Sequence, residues 1–242
     1  MNRTKIATFK AMNFLSHYYF DKNNQNENII MGVVLPDLVK NAQKDLNLYP
    51  LKEKQLFEHD ERLCKLLEGW QRHIQVDAIF HSSGFFKSQT GALKQALLPA
   101  LHGSPAKPFF VAHIALELLL DHLLILDDRI NIHSFYEHLS TVDLKVLDQF
   151  LINCDVIDTR NFFSFLNGFI SGRYLLSYQK LENIAYALNR ICMRLWDNPF
   201  TQEQLDLLTQ SLYFFRETMH GTYFTVFEEI EWQLKSTGLQ LL

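Results

Sequence analysis

The sequence predicts an all-α fold, a single compact multi-helix domain, on three observations. Apolar residues recur at helical rather than alternating spacing along nearly the whole chain. Glycine and proline, which punctuate strand-rich folds, number only 9 and 6 in 242 residues. Twenty phenylalanines within a 48% hydrophobic composition supply bulky material for helix-to-helix packing. The elements follow in order. A first helix at 13–21 stops at the polar turn "KNNQN" of 22–26, and a second covers 27–45. The third, 57–80, places Leu63, Leu66, Leu67, Trp70 and Ile74 on one face at about 100° per residue. A helix at 86–99 is followed by the loop "HGSPAKP", 102–108, and then by the strongly apolar helix 108–126. Helices at 131–140, 143–153, 159–175 and 178–196 come next. The turn "DNPFTQEQ", 197–204, with Thr201 opening a capping box, precedes a final helix over 202–235. No repeat stands out, and no linker is long or polar enough to divide domains.

Composition excludes several functions. A net charge of −4 advertises no broad basic surface for nucleic acid. Cys64, Cys154 and Cys192 lie far apart, in no metal or redox spacing, and an odd count without a secretory signal predicts a reducing, cytoplasmic setting. No segment reaches the roughly 18 uninterrupted apolar residues of a membrane span, so a soluble protein is expected. A glycine-rich phosphate loop, a nucleophile elbow and a Cys-His motif are all missing from the sequence.

What remains is a polar pattern in the wrong place. In "GWQRHIQVDAIFH", 69–81, Asp77 and His81 project into the middle of the apolar arc and His73 lies at its edge. The three are spaced i, i+4, i+8 and form a stripe along the buried face. "AHIALELLLDHLLI", 112–125, repeats the spacing with His113, Glu117 and Asp121 among Leu, Ile and Ala. Buried charges are costly unless paired or bound to metal. Side chains at i and i+4 can grip one ion, whereas i and i+8 are roughly 12 Å apart. Asp77 could therefore bridge two ions, or the outer residues could orient the inner ones. Mixed His and carboxylate ligands suit Mn, Fe or Zn better than Ca. The competing reading is a hydrogen-bonded network without metal.

His17 in "NFLSH" and Asp37 in "GVVLPDLVK" are lone polar residues among apolar ones, which singly would be satisfied core residues or caps. His122 faces away from Glu117 and Asp121 on the helical wheel and reads as structural. His59-Asp60 sits among Glu58, Glu61 and Arg62, a solvated face. His133, His138 and His220 show no partner spacing. Gly168 and Gly172, at i, i+4 in "NGFISGR", predict close helix packing, and Arg173 beyond them could reach a phosphate.

With these residues located, the chain resembles the acyl carrier protein phosphodiesterase family, helical metal-dependent enzymes related to the HD phosphohydrolases. Met12-Asn13-Phe14-Leu15-Ser16-His17 matches the family's opening Met-Asn-Phe-Leu-x-His, leaving 1–11 as an N-terminal extension and 12–242 as the helical domain. "GVVLPDLVK" is similar to its Gly-Asn-Leu-x-x-Asp segment, with Asp37 at the acid. "HIQVDAIFH" resembles its His-Arg-x-Ile-Asp-x-x-Thr-Asp core: His73 and Asp77 match, and His81 stands where the last Asp would be. "ELLLDHLL" resembles Asp-x-x-x-Asp-His-Phe-Leu, with Glu117 for the first Asp, then Asp121 and His122; "LNGFISGR" is similar to a later Leu-Asn-Gly stretch ending in Arg.

The resemblance implies an HD-phosphohydrolase-like bundle. It implies Mn²⁺-assisted hydrolysis of the phosphodiester between 4′-phosphopantetheine and a serine of holo acyl carrier protein. Asp77, Asp121 and His122 would be catalytic. The expected metal ligands are His73, Asp77 and Asp121, with His17, Asp37, His81 and Glu117 as their partners; His113 joins the metal candidates from its stripe spacing. Arg72 or Arg173, and more weakly Lys40, would hold a phosphoryl oxygen. Two alternatives are a phosphohydrolase of another small phosphoester and a non-catalytic binding protein on the same scaffold.

Overall fold

A computed structural model describes residues 14–236. The extension 1–11 and Met12-Asn13 of the opening motif lie outside the described residues. Among the described residues there are eleven α-helices and no strand. They are α1 (Phe14–Tyr19), α2 (Glu27–Ala42), α3 (Glu61–Ser82), α4 (Gly84–Leu97), α5 (Pro108–Leu126), α6 (Ile132–Thr141), α7 (Leu144–Asn153), α8 (Arg160–Gly172), α9 (Leu181–Cys192), α10 (Gln202–His220) and α11 (Phe224–Ser236). Short 3-10 turns cover Pro50–Lys52, Lys54–Leu56 and Tyr174–Gln179. The all-α, single-domain expectation holds.

Helix α5 is the centre. Fourteen of its nineteen residues are buried, and each fully buried Leu or Ile contributes roughly 1.5–3 kcal/mol. By length and composition α5 could cross a membrane, yet here it is wrapped by other helices. Helices α4, α9, α10 and α1 pack around it, while α2 lies along α3 in the most extensive helix pair of the molecule.

Two glycines allow that pair to close. A Cβ on Gly32 would stand 2.2 Å from the Leu66 carbonyl oxygen, and one on Gly69 would stand 2.2 Å from that of Ile29. Both would collide with backbone, so α2 and α3 touch main chain to main chain. The expectation for Gly168 and Gly172 is corrected: nothing lies within 4 Å of a Cβ at either, so they do not mediate close packing.

Helix ends follow local chemistry. The Asp60 carboxylate accepts from the Arg62 N–H at 2.8 Å and starts α3, so the helix begins later than the 57 expected, after the two 3-10 turns. Arg173 takes a left-handed conformation (φ 44°) and ends α8. The Thr201–Gln204 capping box is formed as expected. The single helix expected over 202–235 is broken instead at Gly221–Tyr223. There the Tyr223 hydroxyl donates to Asp127 Oδ2 at 2.8 Å, and His220 Nε2 meets Asp127 Oδ1 at 2.8 Å. The junction is thereby clamped to the C-terminus of α5, and α11 packs on α3. His220 thus has a partner that spacing did not suggest. Ile74, expected on the buried face, is 37% exposed; it lies beyond the edge of the stripe that α3 turns inward.

Candidate metal centre

Six residues of the predicted pattern converge where α1, α3 and α5 meet, forming two groups of three. In the inner group, ligand-capable atoms of His17, His73 and Asp77 lie within 4.8 Å of one another, all three residues buried. In the outer group, His81, His113 and Glu117 meet the same criterion, with the two histidines partly open to solvent.

The inner group is assembled by backbone. His73 Nδ1 lies 2.8 Å from the Val33 carbonyl oxygen on α2. A carbonyl only accepts, so Nδ1 carries a proton, and Nε2 is the nitrogen left to face the carboxylate. That Nε2 faces Asp77 Oδ2 at 3.8 Å. The His17 ring stacks on His73 with centroids 3.8 Å apart, and its Nε2 is 3.3 Å from Asp77 Oδ1. Among the described residues, neither nitrogen of His17 makes a hydrogen bond, although the residue is fully enclosed. Imidazole lone pairs around a buried carboxylate repel it unless a proton or a cation lies among them. These residues fit a divalent ion, with the Val33 contact as the usual orienting bond of a metal-binding histidine. On the far side, a small cavity beside His17 and Asp77 is closed by Val226, Phe227 and Ile230 of α11.

Asp77 links the groups, since its Oδ1 also lies 3.9 Å from His81 Nδ1. His81 Nε2 and His113 Nε2 are each 3.1 Å from Glu117 Oε1 and 3.2 Å from one another. Burial disfavours charge on the His81 ring, but the adjacent Glu117 and then Asp77 outweigh it and shift its pKa upward. Phe86 of α4 stands edge-on to both outer imidazoles, with centroids 4.9 Å away in each case.

The remaining candidates fall outside the two groups. Asp121 reaches α1 instead: Oδ1 accepts from the Ser16 N–H at 2.7 Å and the Ser16 hydroxyl at 2.6 Å, and Oδ2 accepts from the Leu15 N–H at 3.2 Å. It caps a six-residue helix that carries His17 in its final turn. Burial pushes the Asp121 carboxyl up to about 7, against the pull of the Ser16 and Leu15 donors. His122 points the other way, as the helical wheel indicated, with Nδ1 2.7 Å from the Tyr178 carbonyl oxygen; burial lowers its pKa. Asp37 is buried on α2, where Asn41 donates to its backbone carbonyl at 2.8 Å. Lys40 Nζ donates to Asn47 Oδ1 at 2.6 Å. The Arg173 guanidinium lies 5.8 Å over the Tyr136 ring.

Arg72 turns toward Asp21, its Nε 3.9 Å from Oδ2. The spacing arguments missed Asp21, although it stands four residues after His17; burial pushes its carboxyl up to about 6, against the Arg72 charge. Ser16 was likewise passed over. The only available signal was its place inside the "NFLSH" segment, because its partner is 105 positions away.

Against this geometry, the family model for acyl carrier protein phosphodiesterase matches residues 12–230. The chain belongs to the acyl carrier protein phosphodiesterase family. The match spans α1 through most of α11 and so contains every residue of both groups. It starts at Met12, the position at which the opening motif begins. No curated protein and no solved structure matches the chain. Membership in the phosphodiesterase family covers nearly the whole chain and accounts for the order in which the polar segments occur.

Proposed function

We propose that this protein is a divalent-metal-dependent phosphodiesterase, built as an HD-phosphohydrolase-like helical bundle. Its substrate is holo acyl carrier protein, from which it hydrolyses the bond between 4′-phosphopantetheine and serine, with Mn²⁺ as the working ion. Family membership supports the substrate class. The observation that carries the chemistry is the inner group: two imidazoles stacked over a buried carboxylate, one of them oriented by a backbone carbonyl. A divalent ion bound there supplies a Lewis acid for the phosphoryl oxygens and lowers the pKa of water toward neutrality.

The chain's own residues do the rest. His17, His73 and Asp77 bind. Val33 fixes the tautomer of His73, and Asp121 fixes α1 and hence His17, a positioning role in place of the ligand role expected of it. Val226, Phe227 and Ile230 keep bulk solvent from the inner side, which strengthens every charge interaction within. Arg72, adjacent to His73 in α3 and held beside Asp21, offers a guanidinium suited to a phosphoryl oxygen.

The test is intact-mass analysis of holo acyl carrier protein incubated with the protein and Mn²⁺, beside a chelator control and the Asp77→Ala variant. Wild type should remove the phosphopantetheine mass. Chelator should stop the loss, and Asp77→Ala should slow it by more than about 100-fold, beyond the cost of losing an orienting partner alone. An unchanged carrier protein with wild type and metal would overturn the proposal.

A further inference from the structure

We infer that His81, His113 and Glu117 form a second cation site, separate from the inner group, that binds a divalent transition-metal ion such as Zn²⁺. The first argument is spacing. The three ligand atoms define a triangle with edges of 3.1, 3.1 and 3.2 Å. An ion bound through bonds of about 2.0–2.1 Å has adjacent ligand atoms roughly 2.8–3.4 Å apart. The side chains therefore already stand at the separation of neighbouring ligands, with no rearrangement needed.

Proton positions make the second argument. Without a cation, both Nε2 atoms would have to carry protons aimed at the one oxygen, Glu117 Oε1. A neutral His81 ring would then turn its Nδ1 lone pair toward Asp77 Oδ1, 3.9 Å away, so without an ion the ring needs a second proton. With an ion in the triangle, both Nε2 atoms are bare and His81 Nδ1–H points at Asp77. That is the carboxylate–histidine–metal arrangement by which such rings are oriented. A third observation is independent of the histidines: Glu117 is 2% exposed, and its other oxygen, Oε2, makes no hydrogen bond among the described residues.

Ligand chemistry sets the class of ion. Two imidazoles and one carboxylate, the set the inner group also offers, suit Zn²⁺, Fe²⁺ or Mn²⁺ better than Ca²⁺. Three protein ligands leave a position open, and the partial exposure of His81 and His113 turns it toward solvent. Phe86, edge-on to both rings, holds them in place from α4. This inference builds on the metal-dependent reading above, and a stoichiometry experiment separates the two.

Metal-stripped full-length protein is titrated with Zn²⁺ alone by calorimetry, with bound metal counted by elemental analysis after desalting. Wild type should hold two zinc ions per chain. His113→Ala should hold one, and Glu117→Gln, which keeps the side chain's shape, should weaken one of the two sites by at least about 10-fold. His17→Ala should also hold one, through loss of the inner ion. If His113→Ala loses an ion and His17→Ala does not, the outer site stands and the inner one fails. If wild type holds no ion, or holds one that His113→Ala retains, or if both His113→Ala and Glu117→Gln bind as wild type does, the second site is refuted. Circular dichroism confirms that each variant retains its helices.

Discussion

At the scale of single residues, one charge pattern separates into ligands and supports. Asp121 and His122 are neighbours in sequence but about 100° apart around α5, so one caps α1 and the other bonds the turn before α9. His122 carries a pH prediction. Burial lowers its pKa below the ordinary 6.5, so the folded protein holds it neutral while the unfolded chain protonates it below pH 6.5. The unfolded state then binds more protons and stability falls with acidification. Its contribution is present above pH 6.5 and is lost as pH drops toward the lowered folded value. His122→Asn retains a donor for the Tyr178 carbonyl without titrating. Urea unfolding between pH 7.5 and 5 should therefore give a flatter stability profile for the variant than for wild type, and parallel profiles would contradict this assignment. The i, i+4 spacing of His73, Asp77, His81, His113 and Glu117 was legible in the sequence because a helix makes it local. That Asp121 would leave the stripe to hold Ser16 was not, because no local rule reports a contact across 105 residues.

At the scale of elements, the site depends on how closely α2 approaches α3. Gly32 precedes Val33, whose carbonyl orients His73, and Gly69 lies one turn before His73 itself. Gly69→Ala would drive a methyl group into the Ile29 carbonyl oxygen, a collision with backbone rather than with a side chain that can swing away. The expected cost is about 3 kcal/mol, at the upper end for overpacking, read from chemical denaturation. Gly168→Ala, where space is open, should gain up to about 1 kcal/mol from helix propensity. A Gly69→Ala protein as stable as wild type would contradict the close approach. Helix existence was readable from periodicity, and α5 was placed at both ends. Spacing misdirected the glycine reading: Gly168 and Gly172 show the i, i+4 pattern and pack on nothing, whereas Gly32 and Gly69, which do pack, lie in different helices and share no local pattern. The break at Gly221–Tyr223 escaped for a related reason, since helical periodicity continues through it and only the clamp on Asp127 interrupts the backbone.

At the scale of the whole molecule, the fold brings three helices that are remote in sequence to a single place. α1 contributes His17, α3 contributes His73, Asp77 and His81, and α5 contributes His113 and Glu117. Metal and folding should therefore be coupled, because an ion gripping α1 and α3 together binds the native state alone. The order of the polar segments, and with it the likeness to the phosphodiesterase family, was visible along the chain. The division into an inner and an outer group was not, since it depends on which turn of α3 faces α1 and which faces α5. The central claim is that His17, His73 and Asp77 enclose a divalent ion. Its most direct test is anomalous diffraction from crystals of the protein grown or soaked with Mn²⁺. The account predicts an anomalous peak within bonding distance of His17 Nε2, His73 Nε2 and an Asp77 oxygen. A map with full density for these side chains and no peak among them would contradict it.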